Sequence, residues 1–471
     1  MTEMTEQSAN TNCLQEQFSY AERVKKLILK RYAKPPLAYV HTYGCQENVS
    51  DSEKIKGMLV LCGYELTDSS DDADFVLFNT CAVREHAEDR VYGNVGQLKH
   101  NKCKRPEMIV ALCGCMAQQP TVVQKVKQSY PYVDILFGTH VRHMMPEFIY
   151  RHLAYGERVF ENSDSNNDIV EGLPVVRDGT IKAWLSIMNG CDNFCTYCIV
   201  PYVRGRECSR EPQAIIEEAK ELIASGFKEI ILLGQNVNSY GKGADHGVNF
   251  AKLLRQIANL EGDFRVRFMT SHPKDCTDEL LQTMGECDKV CKNLHLPVQA
   301  GSDTILHRMN RHYNSQEYLK LVKTARKIMP DIQLSSDIIV GFPGETYEDF
   351  KCTIDLIEQV GYYSLFTFIY SARTGTPAAA MPDDISRKEK SRWFTELLEK
   401  QEQISHKINE SLVGKTFKVL CEEKGREDGH IAGRTEGNAV IDFCGDESLI
   451  GTFTFVQVTD YDRVLKGKIK S

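Results

Sequence analysis

Three cysteines lie close together near the middle of the chain, at Cys191, Cys195 and Cys198. Their C-x-x-x-C-x-x-C spacing places three thiolates in one short loop, directly after a predicted strand at residues 182–188. Three thiolates do not complete a structural zinc site, which is closed by four protein ligands. In a cubane of four irons, three thiolates leave one iron free to bind another ligand. The spacing therefore indicates a metal centre with an open position, which is typical of a site that does chemistry.

A second set of three cysteines is dispersed along the preceding segment. Cys45, Cys81 and Cys115 each come just after a predicted strand. These strands are predicted at residues 37–43, 75–79 and 108–112. Because ligands of open α/β sheets bind at the carboxyl ends of the strands, the three thiols are expected to meet at one sheet edge. The sequence thus predicts a second three-thiolate site, and Cys113, inside the third strand, is interpreted as a core residue.

Length, charge and cysteine content limit the function classes. The chain has 471 residues, 17 cysteines and a net charge of −8. This acidic balance does not favour general binding to nucleic acid, so any such binding must use local basic patches. No long apolar run suggests a membrane span, and the polar N-terminus does not resemble a secretory signal. We therefore expect a cytoplasmic protein in which clustered cysteines bind metal rather than form disulfides.

Alternating patterns of strands and helices divide the chain into five segments. We expect a disordered or helical tail at 1–33, a doubly wound parallel-sheet α/β domain at 34–154 and a linker at 155–178. A second βα series at 179–410 predicts a partial (β/α)6 barrel. Its strands are expected at residues 182–188, 229–233, 264–270, 293–298, 333–340 and 363–370. Short strands at 411–471 predict a small antiparallel β-barrel, which suits an RNA grip or a structural cap equally well.

Polar residues gather near the carboxyl ends of the predicted strands of the second series. Five of them are candidates for lining a cavity at the carboxyl ends of the strands: Gln235, Asn236, Ser271, Gln299 and Asp337. Chemistry in (β/α) barrels takes place at this end of the strands. Each residue alone is equally well explained as a cap of the neighbouring helix.

The cysteine loop resembles that of the radical S-adenosylmethionine (SAM) superfamily. Together with Cys45, Cys81, Cys115 and a C-terminal barrel of the TRAM type, the chain is similar to the methylthiotransferases. Three runs resemble one branch, the tRNA-2-methylthio-N6-dimethylallyladenosine synthases. They are YGCQEN at 43–48, NTCAVRE at 79–85 and CTYCIVPYVRG at 195–205. The resemblance extends from about residue 34 to the C-terminus.

This resemblance implies two 4Fe–4S clusters that act together. Cys191, Cys195 and Cys198 would hold the cluster that binds SAM and yields a 5′-deoxyadenosyl radical. The other three cysteines would hold an auxiliary cluster, whose exposed sulfur one SAM methylates before a second SAM supplies the radical. The product carries a methylthio group at C2 of N6-dimethylallyladenosine next to the anticodon (position 37). Contacts to SAM or substrate are expected from Tyr197 and from the five strand-end residues named above.

The same resemblance implies the partners: the anticodon stem-loop of a tRNA with a prenylated adenosine and an electron-donor protein. We expect a monomer that does not associate with membranes. Arg204, Arg206 and Arg210 are equally well explained as phosphate contacts and as a solvated charged turn. Rival substrates are threonylcarbamoyladenosine in tRNA and an aspartate of a ribosomal protein. A different class of function is a non-catalytic RNA-binding protein that contains zinc.

Overall fold

A computed structural model describes residues 2–82, 85–163 and 169–470, with side chains omitted at 2–11 and 85–87. Val83 and Arg84 of the 79–85 run, and most of the polar stretch in the predicted linker, lie outside these ranges. The chain divides into two compact units. The first comprises Met1–Asp178, Met188–Asp192 and Cys198–Arg210, and the second comprises Gly179–Ile187, Asn193–Tyr197 and Glu211–Ser471. Over the described residues, no helix is both long and apolar enough to cross a membrane.

The first unit is built on a six-stranded parallel sheet with the order β2-β1-β3-β4-β5-β6. Its strands are β1 Leu37–Tyr43, β2 Glu65–Leu66, β3 Phe75–Thr80, β4 Ile109–Gly114, β5 Ile135–Phe137 and β6 Val159–Glu161. The helices of this segment are α1 Thr2–Arg31, α2 Gln46–Leu61, α3 Glu85–Lys104, α4 Pro120–Ser129 and α5 Met145–Tyr155. Because the order reverses between β1 and β3, the sheet has a switch point of the kind at which doubly wound folds bind ligands.

Apolar side chains of the central strands alternate between two cores. Phe75 and Leu77 pack into the core formed with α1, α2 and α5, whereas Val76 and Phe78 pack into the core formed with α3 and α4. This alternation follows from the two-residue period of a strand, and helices on both faces explain why the strands are apolar throughout. Cys113 lies in the first of these cores, in agreement with its interpretation as a packing residue.

Two boundaries in the first unit differ from the sequence-based predictions, and the structure decides between the two alternatives for the N-terminal tail. Of the two alternatives for the N-terminal tail, the structure has the helix, because Ala21, Val24 and Ile28 of α1 are buried in the core. The predicted linker contains strand β6, a three-residue strand too short to show a periodic pattern. Helix α2 begins one residue after Cys45 rather than near Asp51, since the helix accommodates the polar residues between them.

The second half of the chain contains two three-stranded parallel sheets, with orders β11-β10-β7 and β12-β13-β14. The strands are β7 Lys182–Ser186, β8 Met188–Asn189, β9 Cys208–Ser209, β10 Glu229–Leu233, β11 Arg265–Phe268, β12 Asn293–His295, β13 Gln333–Val340 and β14 Ser364–Ile369. The helices are α6 Val200–Arg204, α7 Pro212–Ala224, α8 Phe250–Ala258, α9 Asp278–Glu286, α10 Asp303–Arg308, α11 Ser315–Ile328, α12 Tyr347–Val360 and α13 Arg387–Glu410. Of these elements, β8, β9 and α6 belong to the first unit. The predicted strand at 182–188 is therefore divided, because Met188 pairs with Ser209 instead of continuing β7.

The C-terminal segment forms a closed five-stranded barrel with the order β15-β16-β17-β19-β18. Its strands are β15 Thr416–Lys424, β16 His430–Thr435, β17 Val440–Cys444, β18 Phe453–Asp462 and β19 Val464–Ile469. The prediction of an antiparallel barrel is wrong for one pair, since β17 and β19 run parallel. The pairing of β17 with β19 closes the barrel. Strand β19 runs antiparallel to β18, and its other side forms hydrogen bonds with β17.

A buried ion cluster ties this barrel to the sheet that contains β10 and β11. The Glu229 carboxylate accepts hydrogen bonds from Arg265 and Arg267. The guanidinium groups also donate to backbone carbonyls of the barrel, from Arg265 to Arg434 at 2.8 Å and from Arg267 to Glu436 at 3.1 Å. Burial opposes ionisation of Glu229, but Arg267 and Arg265 hold its pKa below the ordinary value. The carboxylate therefore compensates two buried cations that also bind the barrel.

We expect Glu229→Gln to destabilise the second unit by about 3–5 kcal/mol, because it removes the carboxylate that two buried guanidinium groups share and leaves Arg265 only Glu422, at 3.7 Å. Thermal unfolding followed by circular dichroism measures the change. The matched control is Glu217→Gln on α7, which removes an exposed ion pair with Lys220 and should leave the unfolding midpoint unchanged. Equal midpoints for the two variants would contradict the role assigned to Glu229.

Candidate functional site

Three neighbouring strands of the first unit end in register, and a cysteine follows each of them. Tyr43 pairs with Thr80, and Thr80 pairs with Gly114. Cys81 and Cys115 therefore come one residue after paired positions, and Cys45 comes two residues after one. The parallel register thus brings these three cysteines to one edge of the sheet, beside the switch point between β1 and β3.

Buried amide groups connect the loops that carry these cysteines. The Asn48 side chain donates to the Asn79 side chain at 3.1 Å and to the Thr80 carbonyl at 3.2 Å. Asn79 in turn donates to the Asn48 carbonyl at 2.8 Å. The Cys45 thiol lies 3.3 Å from the Asn48 amide oxygen. Fully paired polar groups in a dry interior hold their backbones in one arrangement, so this network fixes the edge.

Gly114 explains how β3 and β4 approach so closely at this edge. Its φ of +94° lies in the region that glycine adopts freely. A Cβ at this position would lie 2.3 Å from the Asn79 side-chain oxygen and 2.5 Å from the Thr80 carbonyl. Any larger residue would therefore break the amide network that precedes Cys115.

Arg204 supplies a buried positive charge beside two of these thiols. Its side chain is 2% exposed and donates to Asp51 at 2.9 Å, while Glu47 lies 3.9 Å away. Burial alone would lower the pKa of the guanidinium, but Cys115, Asp51 and Glu47 raise it well above the ordinary value. Arg204 therefore stays charged in the interior of the first unit.

The charge of Arg204 acts on the Cys115 thiol. Burial raises the pKa of Cys115, and the charge of Arg204 together with a hydrogen bond from it opposes that rise. Because a metal ligand must be a thiolate, a neighbouring guanidinium favours the form that binds iron. The donor set at this edge therefore fits an iron–sulfur cluster held by Cys45, Cys81 and Cys115.

The three arginines considered as phosphate contacts are explained differently by the structure. Arg204 is buried as described, and Arg210 is buried and pairs with Glu171 at 2.6 Å. Arg206 is exposed but pairs with Asp192 at 2.8 Å. The phosphate interpretation is wrong for Arg204 and Arg210, because both lack the exposure that an RNA backbone contact needs. Their partners are distant in the sequence, which is why a local pattern did not find them.

Cys191 and Cys198 belong to the first unit. The Cys191 backbone N–H donates to the Gly205 carbonyl at 3.1 Å. Gly190, just before it, has φ +80°, and a Cβ there would lie 1.9 Å from the Arg206 carbonyl. This glycine therefore allows the start of the cysteine loop to contact the backbone of Gly205 and Arg206.

Cys195 belongs to the second unit, where the segment after α10 holds its loop. The Thr196 backbone N–H donates to the Met309 carbonyl at 3.1 Å. The Asn310 side chain donates to the carbonyls of Asn193 and Phe194, at 3.3 and 3.1 Å. Phe194 itself has φ +45°, a strained conformation for a residue with a side chain. Such strain persists only where surrounding contacts determine the backbone, as they do here.

Arg311 is a candidate functional residue that the sequence analysis missed. It is 3% exposed, and its Nη1 lies 3.4 Å from the Cys195 sulfur and 3.4 Å from the Tyr197 hydroxyl. The same guanidinium donates to the Pro297 carbonyl at 2.6 Å and to the Tyr313 hydroxyl at 2.8 Å. Burial would lower the pKa of Arg311, but Tyr197, Tyr313 and Cys195 raise it well above the ordinary value. No local pattern marks this residue, because only the fold brings it to Cys195.

Polar atoms remain unsatisfied at the ends of β10 and β11. Buried oxygens of Gln235, Asn236 and Ser271 have no hydrogen-bond partner, nor does Nε2 of His272. Buried polar groups in proteins are nearly always paired, so such a cluster indicates a polar occupant. Burial lowers the pKa of His272, and Arg311 lowers it further, so this ring is neutral. The three predicted strand-end residues therefore fit a bound polar cofactor.

Gln299 and Asp337 meet through their backbones. The Gln299 N–H donates to the Asp337 carbonyl, and the Gln299 carbonyl accepts from Ile339, both at 2.9 Å. Gln299 has φ +74°, which these two bonds enforce. The Asp337 carboxylate lies 3.5 Å from Nε2 of His295. Their roles toward a cofactor, like that of Tyr197, stay predictions.

Among the described residues, no three His, Cys, Asp or Glu side chains are arranged to hold a single metal ion. A cubane makes a different demand, because each of its thiolates binds a different iron atom. The fit to a cluster therefore rests on the thiols themselves and on the arginines beside Cys115 and Cys195.

Comparison with known proteins assigns the family. The Radical SAM superfamily matches residues 185–357, Uncharacterized protein family UPF0004 matches 37–138, and the TRAM domain matches 410–470. A tRNA-2-methylthio-N(6)-dimethylallyladenosine synthase of Thermoanaerobacter sp. (strain X514) is 49% identical over 453 residues, 96% of each chain. One of Clostridium perfringens (strain 13 / Type A) is 50% identical over 424 residues, 89% of this chain and 94% of the relative.

The chain belongs to the tRNA-2-methylthio-N6-dimethylallyladenosine synthase family of radical SAM methylthiotransferases. It is therefore a sulfur-transferring radical SAM enzyme that acts on tRNA, and its cofactors are 4Fe–4S clusters and SAM. Among solved structures, the radical SAM methyltransferase TsrM from Kitasatospora setae, with cobalamin and a 4Fe–4S cluster bound, has a TM-score of 0.53. It is 14% identical, with 73% of this chain and 77% of TsrM covered, and this likeness concerns the fold alone.

The contact of Arg311 with Cys195 predicts an effect on redox potential. If Cys195 holds a cluster, Arg311→Met should shift its midpoint potential negative by about 60 mV, equivalent to about 1.4 kcal/mol for one electron. The reduced cluster is the more negative form and loses a neighbouring cation. Redox titration followed by electron paramagnetic resonance measures this, in a background with Cys45, Cys81 and Cys115 replaced by Ala.

Two further variants control this experiment. Arg311→Lys keeps the charge and should retain most of the potential, whereas Arg255→Met removes an exposed arginine of α8 and should change nothing. An unchanged potential in Arg311→Met with full iron content would show that the guanidinium does not act on the cluster.

Proposed function

We propose that this protein methylthiolates C2 of N6-dimethylallyladenosine next to the anticodon of tRNA, using two 4Fe–4S clusters and two molecules of SAM. The observation that carries the proposal is the register of β1, β3 and β4, which brings Cys45, Cys81 and Cys115 to one edge. A radical SAM enzyme that only cleaves SAM has no use for a second three-thiolate site. A sulfur-transferring enzyme needs one.

Each cluster has its own ligands in this proposal. Cys191, Cys195 and Cys198 hold the cluster that binds SAM, and Cys45, Cys81 and Cys115 hold the auxiliary cluster. When bound, the clusters and SAM supply the electron, the 5′-deoxyadenosyl radical and the methylated sulfur. The chain contributes the geometry and the charges. Arg204 and Arg311 each place one guanidinium beside a thiol within their own unit.

Residues at the strand ends bind and orient SAM. The unsatisfied oxygens of Gln235, Asn236 and Ser271 accept hydrogen bonds from its amino group and ribose hydroxyls. We assign Tyr197, Gln299 and Asp337 to the same site, because Tyr197 lies beside Arg311, Gln299 follows β12, and Asp337 in the neighbouring strand β13 binds the Gln299 backbone. This arrangement corresponds to the carboxyl-end site of a partial (β/α)6 barrel, of which the two three-stranded sheets would be the halves.

The C-terminal barrel grips the RNA. A groove on this barrel is lined by four basic and two aromatic residues, together with the acids Glu423 and Asp442 and apolar residues; the basic and aromatic ones are Lys424, Arg426, Arg434, Arg463, Tyr363 and Tyr461. Proteins usually bind single-stranded RNA with cations along the phosphate backbone and with aromatic rings on which the bases stack. We further propose that the protein acts as a monomer in the cytoplasm and receives its electron from a donor protein, with domains at 34–154, 179–410 and 411–471.

Reconstitution and nucleoside analysis test the proposal. Anaerobic reconstitution should give a brown protein with about eight irons per chain. The loaded protein is then incubated with three tRNAs, carrying dimethylallyladenosine, threonylcarbamoyladenosine or adenosine, and with a ribosomal-protein aspartate substrate. Mass spectrometry should find the methylthio group on dimethylallyladenosine alone. Modification of another substrate would contradict the assignment of dimethylallyladenosine as the substrate. A colourless protein that contains zinc would contradict the enzymatic function.

Substitution of single cysteines separates the two clusters. Cys191→Ala should abolish both 5′-deoxyadenosine formation and methylthiolation, because the cluster that binds SAM loses a ligand. Cys45→Ala should retain SAM cleavage but lose methylthiolation, since only the sulfur donor is affected. Cys103→Ala, which removes an exposed thiol of α3 in the same unit as Cys45, is the matched control and should behave as the wild type. Methylthiolation by the Cys45 variant would refute the auxiliary site.

A further inference from the structure

Two large aromatic side chains are exposed on one face of β14. Phe366 is 48% exposed and Phe368 is 40% exposed. They are two residues apart, so both project from the same face, and β14 is an edge strand of its sheet. Strands of parallel sheets are usually buried on both faces, and an exposed apolar patch of this kind marks a binding surface.

The neighbouring strand places predicted site residues beside these rings. Asp337 is the register partner of Phe366, and Ile339 is the partner of Phe368. The His295 ring contacts Phe366 edge-on, with ring centroids 5.6 Å apart, and its Nε2 lies 3.5 Å from Asp337. This surface is thus apolar on β14, at the edge of the sheet, and polar at Asp337 and His295 on the neighbouring strands β13 and β12.

The opposite face of this sheet is covered. Ser336 and Ile338, which alternate with Asp337 and Ile339 along β13, are fully buried. The Ser336 hydroxyl interacts with Tyr318 of α11, so helices occupy that side. The face with the two phenylalanines is therefore the one that looks away from the helices, where a (β/α) barrel has its interior.

We propose that Phe366 and Phe368, together with Ile339, bind the dimethylallyl group of the substrate nucleoside. This inference rests on the proposed function and adds the residues that read the prenyl group. The dimethylallyl chain is a branched hydrocarbon, whereas the ribose, the phosphates and the methionine end of SAM are polar. A surface made of two rings and an isoleucine side chain matches the hydrocarbon rather than these polar groups.

The patch is continuous with the proposed SAM site. Asp337, the partner of Phe366, accepts the backbone hydrogen bond of Gln299. A base whose prenyl tail lies on the rings therefore has its polar edge near Asp337 and His295. Binding of the tail in this way orients the adenine, and a tRNA without the tail loses both the contact and the orientation.

The expected effect follows from the area that the tail buries. Removing one ring exposes part of a five-carbon chain, and this should weaken binding of prenylated tRNA about tenfold. Binding of the same tRNA with plain adenosine should not change, because it has no group to place on the rings. The preference for prenylated tRNA should therefore fall about tenfold in each variant.

The test compares Phe366→Ala and Phe368→Ala with the wild type, each as the full reconstituted chain. Fluorescence anisotropy measures the dissociation constants of the two tRNAs, and methylthiolation of the prenylated tRNA gives kcat/KM. Thr367→Ala, on the same strand but the alternate face, is the matched control and should keep the preference. Iron content and SAM affinity should be unchanged in all variants. Phe366→Leu keeps an apolar surface and should retain most of the preference. This variant keeps the inference testable if the alanine variants misfold.

Several outcomes would overturn the inference. Equal loss for both tRNAs would show that the rings stack on the base or the backbone, and weaker SAM binding would show that they serve the cofactor. An unchanged preference would show that the tail binds elsewhere. In each of these cases the wild type still methylthiolates prenylated tRNA, so the proposed function stands. A wild type that shows no preference would refute both.

Discussion

The burial of thiols is a physical constraint on both candidate cluster sites, since Cys81, Cys115, Cys191 and Cys195 are buried, although Cys45 is exposed. A ligand must be a thiolate, but removal from water raises the pKa of a thiol, as it does for Cys115. Each unit has one almost completely buried arginine beside a candidate ligand. The charge of Arg204 opposes the rise in the pKa of Cys115 in the first unit, and Nη1 of Arg311 lies 3.4 Å from the Cys195 sulfur in the second. A guanidinium suits this task because it remains charged in the interior and offers several N–H donors to sulfur.

Buried cations need partners of their own, and these partners extend each site into the fold. Asp51 of α2 binds both Arg204 and Arg142, and its pKa stays below the ordinary value because their charges outweigh its burial. Arg311 is held instead by neutral oxygens of Pro297 and Tyr313. The first site therefore contains opposite charges of the protein itself, whereas the guanidinium of the second contacts two neutral oxygens and the Cys195 sulfur.

The sequence predicted the thiols but not the groups that serve them. Cys45, Cys81 and Cys115 could be predicted because a cysteine just after a strand is a local pattern. The parallel register of the strands then brings the three cysteines to one edge of the sheet. Arg204 was misjudged because Asp51 lies 153 residues away, and Arg311 was missed because Cys195 lies 116 residues away. Local periodicity carries no information about such pairs. It also could not show the short strand β6 or the parallel pairing of β17 with β19, which follow from closure of the sheet and the barrel.

Strain and unsatisfied polar atoms occur together in the cysteine loop and at strand ends of the second unit. Phe194, Thr270 and Gln299 all have positive φ, and Thr270 is a β-branched residue for which this conformation is rare. Its hydroxyl donates to the Gly234 carbonyl at 2.6 Å, just before the unsatisfied Gln235 and Asn236. Strain and unpaired oxygens both destabilise the free protein, so a fold selected only for stability would remove them. A bound molecule that restores the missing hydrogen bonds, as proposed for SAM, would offset this cost.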